Sequence, residues 1–93
     1  MRTSNLHFNP FQTYIRDCEG HRRYFVSTAY SPSGFLKNWD DNSTVHWETM
    51  VFPFEAEWGD PSYGDECACL RCDSYEESIL QHMQMVAKFS ADL

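Results

Sequence analysis

Three stretches of the chain alternate apolar and polar residues with the period of two that is typical of half-buried β-strands. They cover Tyr24–Tyr30, Thr44–Phe52 and Glu66–Cys72. The middle stretch is the richest in β-branched and aromatic residues, and loop-like residues bound it, Asp40–Ser43 before and Pro53 after. One of its faces carries Val45, Trp47, Thr49 and Val51. We therefore predict a small antiparallel sheet of three strands with Thr44–Phe52 as its central strand.

One amphipathic helix is predicted after the third strand. Ser74, followed three residues later by Glu77, forms a capping box that satisfies amide groups at a helix N-terminus. Apolar residues then recur at helical spacing, at Ile79, Leu80, Met83, Val86, Ala87 and Phe89. A helix over residues 75–89 is too short to be stable alone, so we expect its apolar stripe to pack on the sheet.

The rest of the chain is predicted to form irregular structure and loops. Residues 1–23 form an N-terminal arm and turn, because Pro10 and several Asn residues interrupt a weak helical spacing. Pairing of this arm with the sheet would add a fourth strand. Residues 53–65 form an acidic loop that also contains aromatic residues. The predicted fold is thus a single α+β domain over residues 1–93, in the order β-β-β-α, with the C-terminal helix packed across the sheet.

Composition supports one small folded domain. Hydrophobic residues make up 42% of the chain and aromatic residues 16%, which is enough for one core and argues against disorder. No apolar run approaches the roughly 20 residues of a membrane-spanning helix, and Met1 does not begin a secretory leader. We therefore expect a cytoplasmic protein whose four cysteines are thiols or metal ligands rather than disulfides.

Negative charge is concentrated in the second half of the chain. The net charge is −7. Residues 1–47 contain five Lys or Arg and four Asp or Glu, whereas residues 48–93 contain two and ten, a local balance of −8. Such a chain repels phosphate backbones, so we expect no direct nucleic-acid binding, and a basic protein surface is the natural complement. A purely solubilising role of the acidic residues is the alternative.

Three blocks of the chain resemble a group of small uncharacterised proteins of phages and prophages. The blocks are Val26–Thr28, Trp47–Phe52 and Arg71–Ser78, the last followed by His82 and Met85–Val86. The group reads V-S-T, then E-T-M-V-F, then R-Y-S-T-x-E-E-A with G-H and M-V in the helix. This chain departs from it at Cys72, where the group has Tyr, and at Gln81, where the group has Gly. The resemblance implies a phage protein in the cytoplasm of an infected bacterial host, and it implies no particular activity.

Two residue pairs have the spacing of ligands to a structural zinc ion. Cys18-x-x-His21 and Cys69-x-x-Cys72 have the two-residue gap that lets both side chains of a pair reach one ion. Zinc would also add folding free energy to a small domain. However, a regular strand over residues 66–72 would direct Cys69 and Cys72 to opposite faces of the sheet. Free thiols are therefore the alternative to a zinc-stabilised structural or regulatory domain.

The acidic loop and its border form the candidate partner-binding surface. The residues assigned to it are Glu55, Glu57, Trp58, Asp60, Tyr63, Asp65 and Glu66. Aromatic side chains anchor protein interfaces, and carboxylates steer basic partners towards them. The alternative is that these aromatic residues only cap the core of a small domain.

These observations lead to the hypothesis of a non-enzymatic protein. No nucleophile, acid or base occurs in a recognisable catalytic frame, so no catalytic residue is assigned. We expect the protein to bind a host or anti-phage-defence protein that has a basic surface, and to inhibit or redirect it. Anti-CRISPR and DNA-mimic proteins act in this way, by analogy. Both a monomer and a homodimer are compatible with the sequence.

Overall fold

The computed structural model describes residues 11–30, 36–37, 44–56 and 59–93, and these residues form six strands and one helix. In chain order the elements are β1 Gln12–Arg16, β2 Arg22–Tyr30, β3 Leu36–Lys37, β4 Thr44–Val45, β5 Trp47–Pro53, β6 Ala68–Cys72 and α1 Tyr75–Ala91. Strands β1, β2, β5 and β6 form one antiparallel sheet in that order, and β3 pairs with β4 separately. Helix α1 packs across the four-stranded sheet, which confirms the predicted α+β fold with its fourth strand.

The structure locates the fourth strand in the N-terminal arm and changes the bounds of the predicted central strand. Residues 12–16 of the N-terminal arm form the edge strand β1, because Thr13 and Ile15 alternate with exposed residues and are buried. A strand this short needs only two inward side chains, which is too weak a pattern to stand out in the sequence. The predicted strand Thr44–Phe52 is interrupted at His46, so only the residues from Trp47 onward pair within the four-stranded sheet.

Helix α1 begins where the capping box predicts. Ser74 has an extended backbone, its Oγ accepts a hydrogen bond from the Glu77 amide at 3.1 Å, and the same hydroxyl donates to the Glu77 carboxylate at 2.9 Å. Glu76 and Glu77 also place negative charge at the positive end of the helix dipole. Within the described residues, no helical segment combines the length and the apolar character that a membrane crossing requires.

The core lies between α1 and one face of the sheet. The register of β2 and β5 places Val26 opposite Val51 and Thr28 opposite Thr49. The buried apolar cluster contains Ile15, Val26, Val51, Met85, Val86 and Phe89. Each buried side chain of this size contributes roughly 1.5–3 kcal/mol relative to exposure. Val26 and Thr28 of β2 thus lie on the same buried face of the sheet as Thr49 and Val51 of β5, as the alternation of apolar and polar residues predicts.

The face that α1 buries differs from the predicted apolar stripe. Leu80 and Met83 are 59% and 49% exposed, whereas Gln81 and His82 are 7% and 0% exposed. The prediction was wrong at these positions because it ranked side chains by polarity alone. Buried polar groups are tolerated when they are hydrogen-bonded, and the sheet presents hydroxyl groups to this part of the helix.

A chain of hydrogen bonds joins α1 to three adjacent strands. His82 Nε2 lies 2.8 Å from Thr13 Oγ1 on β1, and His82 Nδ1 lies 2.7 Å from Thr28 Oγ1 on β2. Thr28 Oγ1 lies 2.6 Å from Thr49 Oγ1 on β5, which in turn accepts from Gln81 Nε2 at 3.0 Å. Every buried side-chain nitrogen and oxygen among the described residues has a partner. The network therefore avoids the desolvation penalty of unpaired polar groups.

We expect the stability of the protein to fall as the pH is lowered from about 6.5 towards 4. Burial lowers the pKa of His82 from 6.5 to about 4, so in this window the unfolded chain binds a proton that the folded chain does not. This residue then reduces the free energy of unfolding by at most about 1.4 kcal/mol per pH unit, and its contribution is complete above pH 6.5. Urea unfolding at several pH values measures the trend. An NMR titration of the His82 ring with a midpoint near 6.5 would contradict it.

Thr28→Val is expected to lower the free energy of unfolding by roughly 1–3 kcal/mol. The substitution preserves the shape of the side chain but removes the hydroxyl that contacts both Thr49 and His82. Ser27→Ala is the matched control, because it removes a hydroxyl from the opposite face of the same strand and should cost about 0.5 kcal/mol or less. Urea unfolding at pH 7 measures both variants, and equal losses would show that the buried hydroxyl network has no special importance.

Candidate interaction surface

The described part of the acidic loop is held against the end of β5. The Ser62 amide donates to the Pro53 carbonyl at 2.8 Å, and the Asp65 amide donates to the Ser62 carbonyl at 3.0 Å. The Cys67 amide then donates to the Val51 carbonyl at 2.7 Å and leads the chain into β6. The loop is thus fixed at both sides of its acidic segment, which gives its side chains defined positions.

Aromatic side chains cover the sheet face that does not contact α1. Phe25 on β2 and Phe52 on β5 are buried there, and their ring centroids lie 6.5 Å apart. Tyr14 stacks on Phe25 at 4.9 Å from the β1 side. Tyr63 of the loop packs edge-on against Phe52 at 5.1 Å, yet it remains 58% exposed. Tyr63 therefore combines the two predicted roles, because one side of its ring caps this aromatic layer and the other faces solvent.

Four acidic residues of the loop and its border have no ion-pair partner among the described residues. Glu55, Asp60, Asp65 and Glu66 are exposed, and none of them forms an ion pair with any described residue. Glu57 and Trp58, the other two predicted members of this surface, lie outside the described residues. The structure therefore places four carboxylates that have no ion-pair partner in the described ranges on the same anchored segment as the half-exposed Tyr63.

Other carboxylates of the protein are used internally. Glu48 accepts from the Arg71 guanidinium at 2.8 Å, and Asp73 lies 2.7 Å from His46. Asp17 accepts from the backbone amides of His21 and Glu19 in the turn between β1 and β2, and these bonds, that of His21 above all, hold its pKa below the usual value. These three carboxylates contribute to the stability of the fold, whereas the described carboxylates of the acidic loop do not form such internal contacts.

A second aromatic cluster, which the sequence analysis missed, lies at the opposite end of β5. Its members are Phe11, Tyr30, Trp47 and Tyr75, beside the His46–Asp73 pair. The ring centroids of Tyr30 and Trp47 are 4.7 Å apart, and Tyr30 and Tyr75 remain about half exposed. These residues come from separate segments, so only the pairing of Tyr30 with Trp47 across β2 and β5 provides a signal for the cluster.

The four predicted zinc ligands are not brought together. Cys18 and His21 lie in the exposed turn between β1 and β2, whereas β6 is at the far edge of the sheet. Within β6, Cys69 contacts Glu48 on the outer face and Cys72 is buried on the other. The regular strand separates the two thiols, so the predicted four-ligand site does not form. In the described part of the chain, the group of three potential metal ligands whose ligand atoms lie close together is Asp17, Glu19 and His21, and it contains no cysteine.

The Cys69 thiol lies in an environment that suppresses its reactivity. Burial, followed by the neighbouring Glu48 carboxylate, raises the pKa of Cys69 to about 12. Its Sγ lies 3.4 Å from Glu48 Oε2, the same oxygen that receives the Arg71 hydrogen bond. Because thiolates rather than thiols attack electrophiles and bind metals, this cysteine is protonated and inert at neutral pH.

Comparison of the chain with protein-family models, with curated proteins and with solved structures found no match. The geometry and charge of the described surface are therefore what points to a function. Two features distinguish this surface: acidic loop residues without an ion-pair partner among the residues that the structure describes, and exposed aromatic side chains.

We expect Cys69 to be the slowest of the four cysteines to react with iodoacetamide at pH 8, because its pKa lies far above this pH. Glu48→Gln removes a neighbouring negative charge, so it should increase the alkylation rate at Cys69. Glu55→Gln neutralises an exposed carboxylate elsewhere and serves as the control. Peptide mass mapping over time measures each site, and rapid labelling of Cys69 in the unchanged protein would contradict the assignment.

Proposed function

We propose that this protein is a non-enzymatic binding protein that docks its acidic loop against a basic surface of another protein. The observation that carries the proposal is that four exposed carboxylates, none of them ion-paired with a described residue, lie on the same segment as the half-exposed Tyr63. Like charges on a small domain repel one another and reduce stability, and a complementary positive surface relieves this cost. The same charges raise the rate of encounter with a basic partner.

Tyr63 supplies the anchor of the proposed interface. Its ring is held by edge contacts with Phe52 at 5.1 Å and Phe25 at 6.5 Å, so little side-chain freedom remains to be lost on binding. A rigid, partly exposed aromatic side chain is the type of residue that dominates protein interfaces. The carboxylates around it would then provide steering and orientation rather than most of the affinity.

The resemblance to phage proteins supplies the proposed biological setting. In that setting the partner is a host or anti-phage-defence protein, and its basic surface is one that normally receives nucleic acid. Occupation of such a groove by an acidic protein would inhibit or redirect the partner. The support for this part of the proposal is the charge distribution together with the resemblance, and the mode of action is an analogy.

Arrangements that would support an enzyme instead are weak in the described residues. The His46–Asp73 pair is the closest to a catalytic dyad, but none of the described hydroxyl or thiol groups is hydrogen-bonded to His46. His82 is fully buried between threonines, and the Cys69 thiol is protonated. These observations favour binding over catalysis.

Charge reversal of the loop should slow association with the partner. We expect Asp65→Lys with Glu66→Lys to reduce the association rate by roughly tenfold or more at low salt and to flatten its dependence on ionic strength. Glu19→Lys with Asp92→Lys produces the same change in net charge away from the loop and is the matched control. The partner is first captured from a bacterial host lysate on the immobilised protein, and rates are then measured by surface plasmon resonance.

Tyr63→Ala separates anchoring from steering. Loss of the anchor should accelerate dissociation and leave the association rate nearly unchanged, because rim charges act mainly on encounter.

The charge-reversal experiment decides whether the loop is the binding surface. Equal association rates for the Asp65→Lys, Glu66→Lys variant and for its control, Glu19→Lys with Asp92→Lys, would overturn the proposed surface.

A further inference from the structure

We propose that β6 receives an extended basic segment of the partner as an additional strand, with one apolar side chain of that segment in the groove between β6 and α1. This inference rests on the proposed function and specifies the form in which the basic partner is recognised. Addition of a strand to a sheet edge provides affinity through main-chain hydrogen bonds and specificity through pockets for alternate side chains.

The backbone of β6 presents hydrogen-bonding groups at an edge of the sheet. The amide of Phe54, directly after β5, donates to the Arg23 carbonyl, so even-numbered residues of this strand direct their backbone groups towards β2. Odd-numbered residues such as Thr49 therefore direct theirs towards β6, where Thr49 pairs with Leu70. Because direction alternates along a strand, the N–H and C=O of Cys69 point away from the sheet. No other strand in the described ranges pairs with β6 on that side.

The two edges of the sheet differ in how they are protected. β1 has a register shift between Ile15 and Arg16, and irregularities of this kind discourage further pairing. β6 pairs with β5 in uninterrupted register from Ala68 to Cys72, although directly before the strand the Cys67 amide also donates to the carbonyl of Val51, the partner of Ala68. Its one cation, Arg71, is engaged with Glu48 on the outer face. β6 therefore retains a regular edge, which is the geometry that strand addition needs.

A groove of about 290 Å³ runs beside this edge. Leu70, Arg71 and Cys72 of β6 line one wall, and Glu77, Leu80, Gln81 and Gln84 of α1 line the other. Leu80 is 59% exposed, so the groove offers apolar surface to a ligand. Side chains of an added strand alternate between the two faces of the sheet, and those on the α1 side would enter this groove. An apolar residue at that position would bury Leu80.

Carboxylates flank the edge at both ends. Asp65 and Glu66 precede β6, and Asp73, Glu76 and Glu77 follow it. All five are exposed. An extended segment that spans β6 would bring its flanking residues close to these groups, so Lys or Arg at both flanks would be favourable. The pattern that fits is a basic residue, an apolar residue and a basic residue in an extended conformation.

The same charges disfavour a second copy of this chain as the occupant. An antiparallel pair of β6 strands would place Asp65 and Glu66 of one copy beside Asp73 and Glu76 of the other. Like charges in neighbouring positions destabilise strand pairing. Self-association is therefore opposed by the charge that would attract a basic segment.

The test uses an alternating lysine–valine heptapeptide with blocked ends as the probe. We expect it to bind the full chain and to slow hydrogen exchange of the Cys69 amide by about tenfold or more, as a new strand hydrogen bond would do. The same peptide with a central proline, or with glutamate in place of lysine, should bind far more weakly. NMR spectra provide the affinity and the residue-specific exchange rates in one experiment.

A pair of substitutions at one position separates strand addition from simple charge attraction. Cys69→Pro removes the outward N–H without removing a bond to β5, as proline on edge strands does, and should weaken the peptide roughly tenfold or more. Cys69→Val keeps the N–H and should change the affinity by less than about twofold. Should the proline variant fail to fold, protection of the Cys69 amide in the unchanged chain decides the question.

Each other outcome identifies what is wrong. Peptide binding with shifts confined to the loop and no protection of Cys69 would overturn strand addition and leave the acidic interface intact. Dimerisation without peptide, abolished by Cys69→Pro, would show that a second copy occupies the edge. Absence of any peptide binding would overturn this inference alone, because the loop variant and its charge-matched control test the proposed function independently.

Discussion

The packing of the protein depends on three threonine hydroxyls that the sheet buries under its helix. Thr13, Thr28 and Thr49 come from adjacent strands, and each would carry a desolvation penalty without a partner. His82 and Gln81 provide those partners, which fixes how α1 is rotated about its own axis. A helix rotated to bury its most apolar stripe would leave these hydroxyls unpaired. Hydrogen bonding therefore determines which residues of α1 are exposed to solvent. The apolar residues that this orientation buries are Met85, Val86 and Phe89.

Local signals in the sequence were sufficient for most of the fold. The alternation in β2 and β5 and the capping box at Ser74 predicted elements that the structure contains. The helix face was mispredicted because its determinants are distant in sequence: Thr13 and His82 are 69 residues apart. A polarity scale treats both as surface residues, and only their pairing in space makes burial favourable. The fourth strand, β1, was predicted only as an optional pairing of the N-terminal arm, because its short pattern becomes recognisable only beside the strand with which it pairs.

The candidate site was accessible from sequence to the extent that it lies on one continuous segment. The acidic loop is visible as composition, and the structure adds that its described carboxylates are unpaired while Glu48 and Asp73 are engaged within the fold. The cluster around Trp47 and the groove beside β6 each combine several separate segments, so no linear motif marks them. Cysteine spacing was misleading for a physical reason: a two-residue gap brings ligands together in a turn but separates them in a regular strand.

The buried network and the open edge are connected through Gln81. Its side-chain nitrogen donates to Thr49 within the network and to the Leu70 carbonyl of β6 at 3.3 Å, and the same residue lines the groove. Hydrogen bonds from Gln81 therefore tie α1 to both β5 and β6, while Leu70 of β6 also packs against the apolar core. Rotation of the helix also leaves Leu80 on the rim of the groove. An arrangement that satisfies buried threonines in the core thus leaves a groove between α1 and β6 beside the strand edge, and the surrounding carboxylates restrict which chains can approach it.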